Sequence, residues 1–356
     1  MAHRVPRVVG PAPAAARAIV AALLFAHALV AGSCSSPTGP SRTRSSAGAA
    51  GGSSLSGRIV GALDDAGVAG LTVQVASGAS GVSDSSGQFM LVGVPEGLQM
   101  TTVSGASCVT RQTGTTAPAA GVTIQAIPSS FDLASLDQML RASGRLQRWT
   151  VAPRLVVISR VLQFTTTGDD EFMALGEELS EAETDGLVAD LVDGFSELTG
   201  GRLGAFAGTA IERPAESAPV LVKRQGSIVV ARHRGLSAAT GYWGYGRWAT
   251  TGEGEVVGGI VFLDRDFERS LSAYRRSLRI HELGHALGYM HVTLRVSAMN
   301  SSARELPNEW DRQVVRIAFQ RPPGNRTPDT DPASYSVNAS SVGTAGGAIT
   351  WGPWIH

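Results

Sequence analysis

An α+β fold in two folded parts is predicted by three observations. Residues 55–127 carry short β-prone runs separated by Gly- and Asp-rich turns, the pattern of a small all-β sandwich. Residues 128–323 mix such runs with segments whose apolar residues recur at helical spacing. Composition agrees: of 356 residues only 17% are charged and 43 are glycine, so strands and turns outweigh charged surface helices.

The chain begins with a leader pattern. Arg4, Arg7 and Arg17 precede an apolar run at residues 18–32 (AIVAALLFAHALVAG) that is short for a bilayer span and suits a signal-peptide core. Residues 1–33 are therefore expected to be a leader and the protein to be exported. Cys34 follows in VAGSC, which resembles a bacterial lipobox, although Ala31 stands where Leu is usual. Cys34 is thus a lipidation candidate that would anchor the chain to a membrane; simple cleavage nearby is the other outcome. Should Cys34 be lipidated or removed, Cys108 has no partner for a disulfide. Residues 34–54 are rich in Ser, Gly, Ala and Pro without periodicity and read as a flexible tether.

The sandwich signal lies in GRIVGAL, LTVQVAS, QFMLVGV, QMTTVSG and VTIQAI, with alternation at Leu71, Val73 and Val75. Three stretches carry a resemblance: SGRIVG at 56–61, VAGLTVQV at 68–75 and SDSSGQFMLVGVPEG at 83–97. In order and type they resemble the carboxypeptidase regulatory-like domain, a transthyretin-like sandwich. That resemblance implies an antiparallel spacer or binding module without catalytic residues.

In residues 128–323 a helix is expected at 131–146, with Leu133, Leu136, Met139 and Leu140 on one face, then a buried strand at 154–158. Ser180 and Glu183 form a candidate capping box. The helix it opens would bury Leu187, Val188, Leu191, Val192, Phe195 and Leu198 and stop at Gly200-Gly201. Strands are expected at 219–223, 227–232 and 259–264, a long helix at 267–288 and a last helix at 311–320. Residues 324–356 read as an extended C-terminal arm, with Trp351 and Trp354 packing onto the domain.

The chemistry concentrates in HELGHALGYMH, residues 281–291. Residues four apart share a helix face, so His281 and His285 can present imidazoles to one metal ion. Glu282 stands one step round, in reach of a water at the open metal position without becoming a ligand. Gly288 can take positive φ and turn the chain back, which lets His291 supply a third nitrogen. Three neutral imidazoles leave the ion its full charge, which suits a Lewis acid. From this chain's residue frequencies, the five fixed positions arise by chance with a probability on the order of 10⁻⁵.

The segment matches HExxHxxGxxH, the long zinc motif of the metzincin metalloproteases, and Ser297-Ala298-Met299-Asn300 looks like the metzincin Met-turn. The compact spacing is similar to matrixin-like members. The resemblance implies a metzincin-like catalytic domain over residues 128–323: a mixed sheet plus an active-site helix. It implies Zn2+ held by His281, His285 and His291, Glu282 as general base, and Met299 as an apolar floor beneath the imidazoles. It also implies an extended peptide substrate on an upper edge strand, placed at residues 259–263 (GIVFL), whose apolar character equally fits a buried strand. Some family features are absent. Asn300 stands where astacin-like members carry a tyrosine ligand, Val292 where matrixins carry serine, and Cys108 in GASCVTR is unlike the matrixin cysteine switch.

The function expected from these parts is an exported zinc metalloendopeptidase acting as a monomer on proteins or peptides. The alternative is a catalytically inactive, zinc-containing cell-surface binding protein, for which Glu282 would have no use. The formal net charge of zero gives no basic footprint for nucleic acid.

Overall fold

The computed structural model describes residues 52–166, 170–270, 272–339 and 348–356. The leader, most of the tether and Cys34 lie outside the described residues. The tether ends earlier than expected: Ser53 and Ser54 already belong to the first strand, where the Ser53 hydroxyl donates to the Val94 carbonyl at 2.9 Å.

Seven strands build the N-terminal part: β1 (Ser53–Gly61), β2 (Thr72–Val75), β3 (Ser80–Val82), β4 (Gln88–Val94), β5 (Gly97–Ser104), β6 (Arg111–Ala117) and β7 (Ala119–Ala126). They form two sheets, of order β4-β1-β7 and β3-β2-β5-β6. Alternate residues from both sheets, among them Ile59, Val73, Leu91, Val103 and Ile124, share one core, as period-2 side-chain direction requires. The expected all-antiparallel pairing does not hold throughout, because β1 and β7 run parallel. Cys108 is a buried free thiol.

Next come α1 (Leu133–Leu140), β8 (Arg154–Ile158), β9 (Arg160–Gln163), β10 (Glu171–Glu178), α2 (Glu181–Thr199), β11 (Thr209–Glu212), β12 (Pro219–Leu221) and β13 (Ser227–Arg234). They are followed by α3 (Leu236–Thr240), β14 (Gly244–Thr250), β15 (Val256–Asp264), α4 (Arg265–Arg269), α5 (Arg275–Ala286), α6 (Glu309–Ala318) and β16 (Thr350–Trp351). Their strands make one nine-stranded mixed sheet whose main path is β12-β10-β9-β13-β15-β14-β16, with β8 beside β13 and β11 beside β8. β13 pairs parallel with β8 and β15, while β14 runs antiparallel to β15. The fold is therefore α+β.

Alternation along the central strands divides two cores. Val157, Val230, Val261 and Leu263 face α2 and α5, meeting Leu191, Phe195, Leu198 and Leu283. Val156, Val229, Ile260 and Phe262 face the other side, where Phe172 and Leu236 join them. α2 begins with the expected capping box, Ser180 with Glu183, and ends on left-handed Gly200. Its Val192 faces solvent, at the margin of the apolar stripe.

Three expectations change. The helix expected at 131–146 is shorter: the Asp132 side chain caps its N-terminus, and it closes at Leu140. The helix expected at 267–288 is two helices: α4 is capped by the Asp264 carboxylate, and Ser270 breaks it with extended backbone before α5 begins at Arg275. Residues 259–263 are not a sheet edge. They lie in β15, paired on both sides, because every side chain from Gly259 to Leu263 has a core to enter. The strand outside β15 is β14.

The segment after α6 ties the two parts together. Asp329 accepts from Arg321 at 2.7 and 2.8 Å and from Arg111 of β6 at 3.1 Å, while Asp331 accepts from Arg111 at 2.8 Å and from Thr113 at 2.6 Å. All four charged side chains are fully buried. Burial alone would raise the Asp329 carboxyl, but the guanidiniums of Arg321 and Arg111 outweigh it and hold it well below the usual carboxylate range. Trp351 lies in β16 against β14, and Trp354 packs on Phe262. No helix among the described residues is long and apolar enough to cross a membrane.

Candidate metal centre

α5 carries His281, Glu282 and His285 on a helix buried along its last three turns. It ends in a complete Schellman closure: the Gly288 N–H donates to the His285 carbonyl at 2.9 Å and the Tyr289 N–H to the Gly284 carbonyl at 3.0 Å. Gly288 sits at φ +100°, open to glycine and strained for other residues. The reversal carries His291 back over the helix. It also aims the Tyr289 carbonyl at His285, whose Nδ1 lies 2.6 Å away.

The three Nε2 atoms converge. His281 to His285 is 3.1 Å, His281 to His291 is 3.2 Å and His285 to His291 is 3.2 Å. On His281, Nδ1 lies 2.8 Å from the Ala298 carbonyl. A carbonyl can only accept, so Nδ1 of both His281 and His285 carries the proton and each Nε2 turns a bare lone pair inward. Burial pulls His281 down to about 4 and His285 well below its ordinary value, and both effects outweigh the two carbonyls. Burial lowers His291 as well, with the nearby His356 adding to it. All three rings are neutral at pH 7, as ligands must be.

The donor set fits a tetrahedral ion. Nitrogens at about 2.0–2.1 Å from such an ion stand roughly 3.3–3.4 Å apart, close to the spacings found here. The Nε2 lone pairs of His281 and His285 face one another at 3.1 Å without a proton between them and repel unless a cation lies between them. A second sign is Glu282, 1% exposed, whose Oε2 has no hydrogen-bond partner. Burial pushes its carboxyl well above the usual range. The helix that carries His281 and His285 thus also carries an orphaned, buried carboxyl oxygen, which a water on a bound ion would satisfy.

The turn below the site is held from α6. Met299 is fully buried, with Sδ in the space a Cβ on Gly284 would need, 2.4 Å from it. It thus packs against α5 at Gly284. The Asp311 carboxylate accepts from the Ser297 hydroxyl at 2.6 Å, the Ala298 N–H at 3.0 Å and the Asn308 N–H at 2.9 Å. The Asn300 side chain donates to the Val292 carbonyl at 2.6 Å and the Arg295 carbonyl at 2.9 Å, so it braces the loop after His291.

β14 forms the roof. A Cβ on Gly246 would fall 2.1 Å from Cβ of His285, and one on Gly244 would meet the Glu282 carboxyl at 2.4 Å. The helix carrying the site and the outer strand therefore touch backbone to side chain.

The structure brings together His281, Glu282, His285, Gly288, His291 and Met299 as the sequence grouped them; Cys34 lies outside the described residues. Three contributors escaped the sequence reading: Asp311, the carbonyls of Ala298 and Tyr289, and the β14 roof. The first was visible as the Asn308-x-x-Asp311 capping spacing that opens α6. The carbonyls have no side-chain signature. No protein-family model and no curated protein matches this chain.

Proposed function

We propose that this chain is an exported zinc-dependent endopeptidase of metzincin type, matrixin-like in its motif spacing, with residues 55–127 as an accessory carboxypeptidase regulatory-like module. The observation that carries the reading is the convergence of three Nε2 atoms at 3.1–3.2 Å, with an unpaired, buried carboxyl oxygen on Glu282 of the same helix. The leader pattern before Cys34 supports export and attachment to the cell envelope.

Zn2+ bound by His281, His285 and His291 supplies Lewis acidity, which lowers the pKa of water toward about 7 and polarises a carbonyl. The chain's own groups do the remainder. His281 and His285 are locked in the Nδ1–H tautomer by the Ala298 and Tyr289 carbonyls, so no rotation is needed before they donate. Glu282, ionised where the charge of a bound ion offsets its burial, takes a proton at Oε2 from the attacking water and returns it to the leaving amine. Its burial keeps bulk water from competing for that oxygen. Gly246 lets β14 run close over α5, so the outer strand's main-chain groups lie beside the site, where they can orient an extended peptide.

The test pairs zinc content with cleavage of casein and a peptide library for the wild type and Glu282→Ala. The reading predicts zinc in both proteins and cleavage only by the wild type. A wild type that holds zinc but cleaves nothing in a broad library would contradict it and favour a binding protein.

A further inference from the structure

The strand over the metal centre is already paired on its outer edge. Ile355 exchanges both backbone hydrogen bonds with Gly246, each 2.9 Å. The Gly352 N–H donates to the Trp248 carbonyl at 2.9 Å, and Arg247 Nε donates to the Gly352 carbonyl at 2.6 Å. Trp351 stands opposite Ala249 and Thr350 opposite Thr250, all antiparallel. Side chains anchor the run: Trp354 lies 4.6 Å from the Phe262 ring and 5.1 Å from the Arg247 guanidinium, and His356 lies 3.6 Å from Tyr242.

This run sits where an extended peptide would have to lie. Gly246 packs on His285, so its N–H and C=O are the outer-edge groups beside the three imidazoles. A main-chain group engaged by Ile355 cannot pair with a second strand in the same direction. The segment is also short, and most of its residues remain partly exposed. Such an attachment can open without unfolding the sheet behind it.

We propose that residues 350–356 are a built-in competitor that occupies the docking edge of β14 and restrains the site until an extended peptide displaces them. This rests on the peptidase reading, because it concerns access to that site. Neither Trp354 nor Ile355 belongs to the metal centre or its supports, so both can be changed without touching the chemistry. Displacement forms no covalent bond; one antiparallel strand replaces another.

The experiment uses the full chain as wild type, Ile355→Pro and Trp354→Ala. Ile355→Pro removes the N–H that pairs with the Gly246 carbonyl; Trp354→Ala removes the aromatic anchor. Cleavage of a quenched-fluorescence peptide should rise about tenfold in kcat/KM, the factor expected from losing one or two ordinary backbone hydrogen bonds of a competing strand. A free peptide of sequence TWGPWIH should inhibit both variants competitively. Folded variants with wild-type kcat/KM overturn the proposal and leave the peptidase reading standing. If no protein cleaves, the peptidase reading fails, and binding of fluorescein-labelled TWGPWIH decides occupancy: capture by the variants and not by the wild type supports it, and no capture by either overturns it. Where a variant does not fold, amide exchange in the wild type gives the answer. Saturating substrate peptide should expose the Ile355 amide and leave the Gly246 amide protected; an Ile355 amide that stays protected overturns the proposal.

Discussion

Asp311 touches no proposed ligand, yet its removal should loosen the metal. Among the described residues its carboxylate is the only acceptor for the Ser297 hydroxyl, the Ala298 N–H and the Asn308 N–H, at 2.6, 3.0 and 2.9 Å, and the residue is 1% exposed. Asp311→Ala leaves three donors without that acceptor. A buried donor left unpaired costs about 1–3 kcal/mol; partial hydration and relaxation reduce the sum to roughly 3–5 kcal/mol against a typical stability of about 5–15 kcal/mol. The same turn holds the Ala298 carbonyl 2.8 Å from His281 Nδ1. Losing that alignment should weaken zinc binding about 10–100-fold, the usual effect of removing a partner behind a ligand. Zinc affinity is read by competition with a chromophoric chelator and stability by urea unfolding. Asp311→Asn keeps one acceptor oxygen and should lie between wild type and Asp311→Ala on both scales. A folded Asp311→Ala that binds zinc with wild-type affinity would refute the link from α6 to the metal centre.

Two further expectations follow from packing and charge. Asp329→Ala removes the carboxylate paired with buried Arg321 and leaves Arg111 paired with Asp331, and should destabilise by about 3–5 kcal/mol in urea unfolding. Because the folded carboxyl of Asp329 sits below its ordinary value, its contribution in the wild type is complete above about pH 5 and is lost as pH falls through and below the ordinary carboxylate range near pH 4; a flat stability profile from pH 6 to 3 would contradict this. Gly246→Ala places a methyl 2.1 Å from Cβ of His285 and 2.8 Å from the Glu282 carbonyl. The strand must lift, at about 1–3 kcal/mol, with a matching fall in melting temperature; an unchanged melting temperature would mean that β14 does not press on α5.

The metal centre was more legible than the fold around it. His281, His285 and Gly288 are read through one helix period and one glycine, both local properties of the chain, and the structure has them in that arrangement. Ser180 to Gly200 was legible for the same reason, since one cap is a Ser-Glu side-chain box and the other a glycine. β14 was not seen because GYGRWAT has no apolar alternation: its face toward α5 carries Gly244 and Gly246 before Trp248, and its other face carries Tyr245 and Arg247. That omission also misplaced the sheet edge onto β15, whose apolar run records burial on both faces. The break between α4 and α5 comes from extended backbone at Ser270, which helical periodicity does not report. The tie from Asp329 to Arg111 spans 218 positions and carries no local pattern at all.

The central claim is that one cation binds at the meeting point of three imidazoles. X-ray absorption on zinc-loaded protein, with metal content measured alongside, tests it directly. The account predicts one Zn2+ per chain with three nitrogen neighbours at about 2.0–2.1 Å, and a site that collapses in His291→Ala. A protein that retains no zinc after dialysis, or a His291→Ala variant that keeps the same spectrum and affinity, would contradict it.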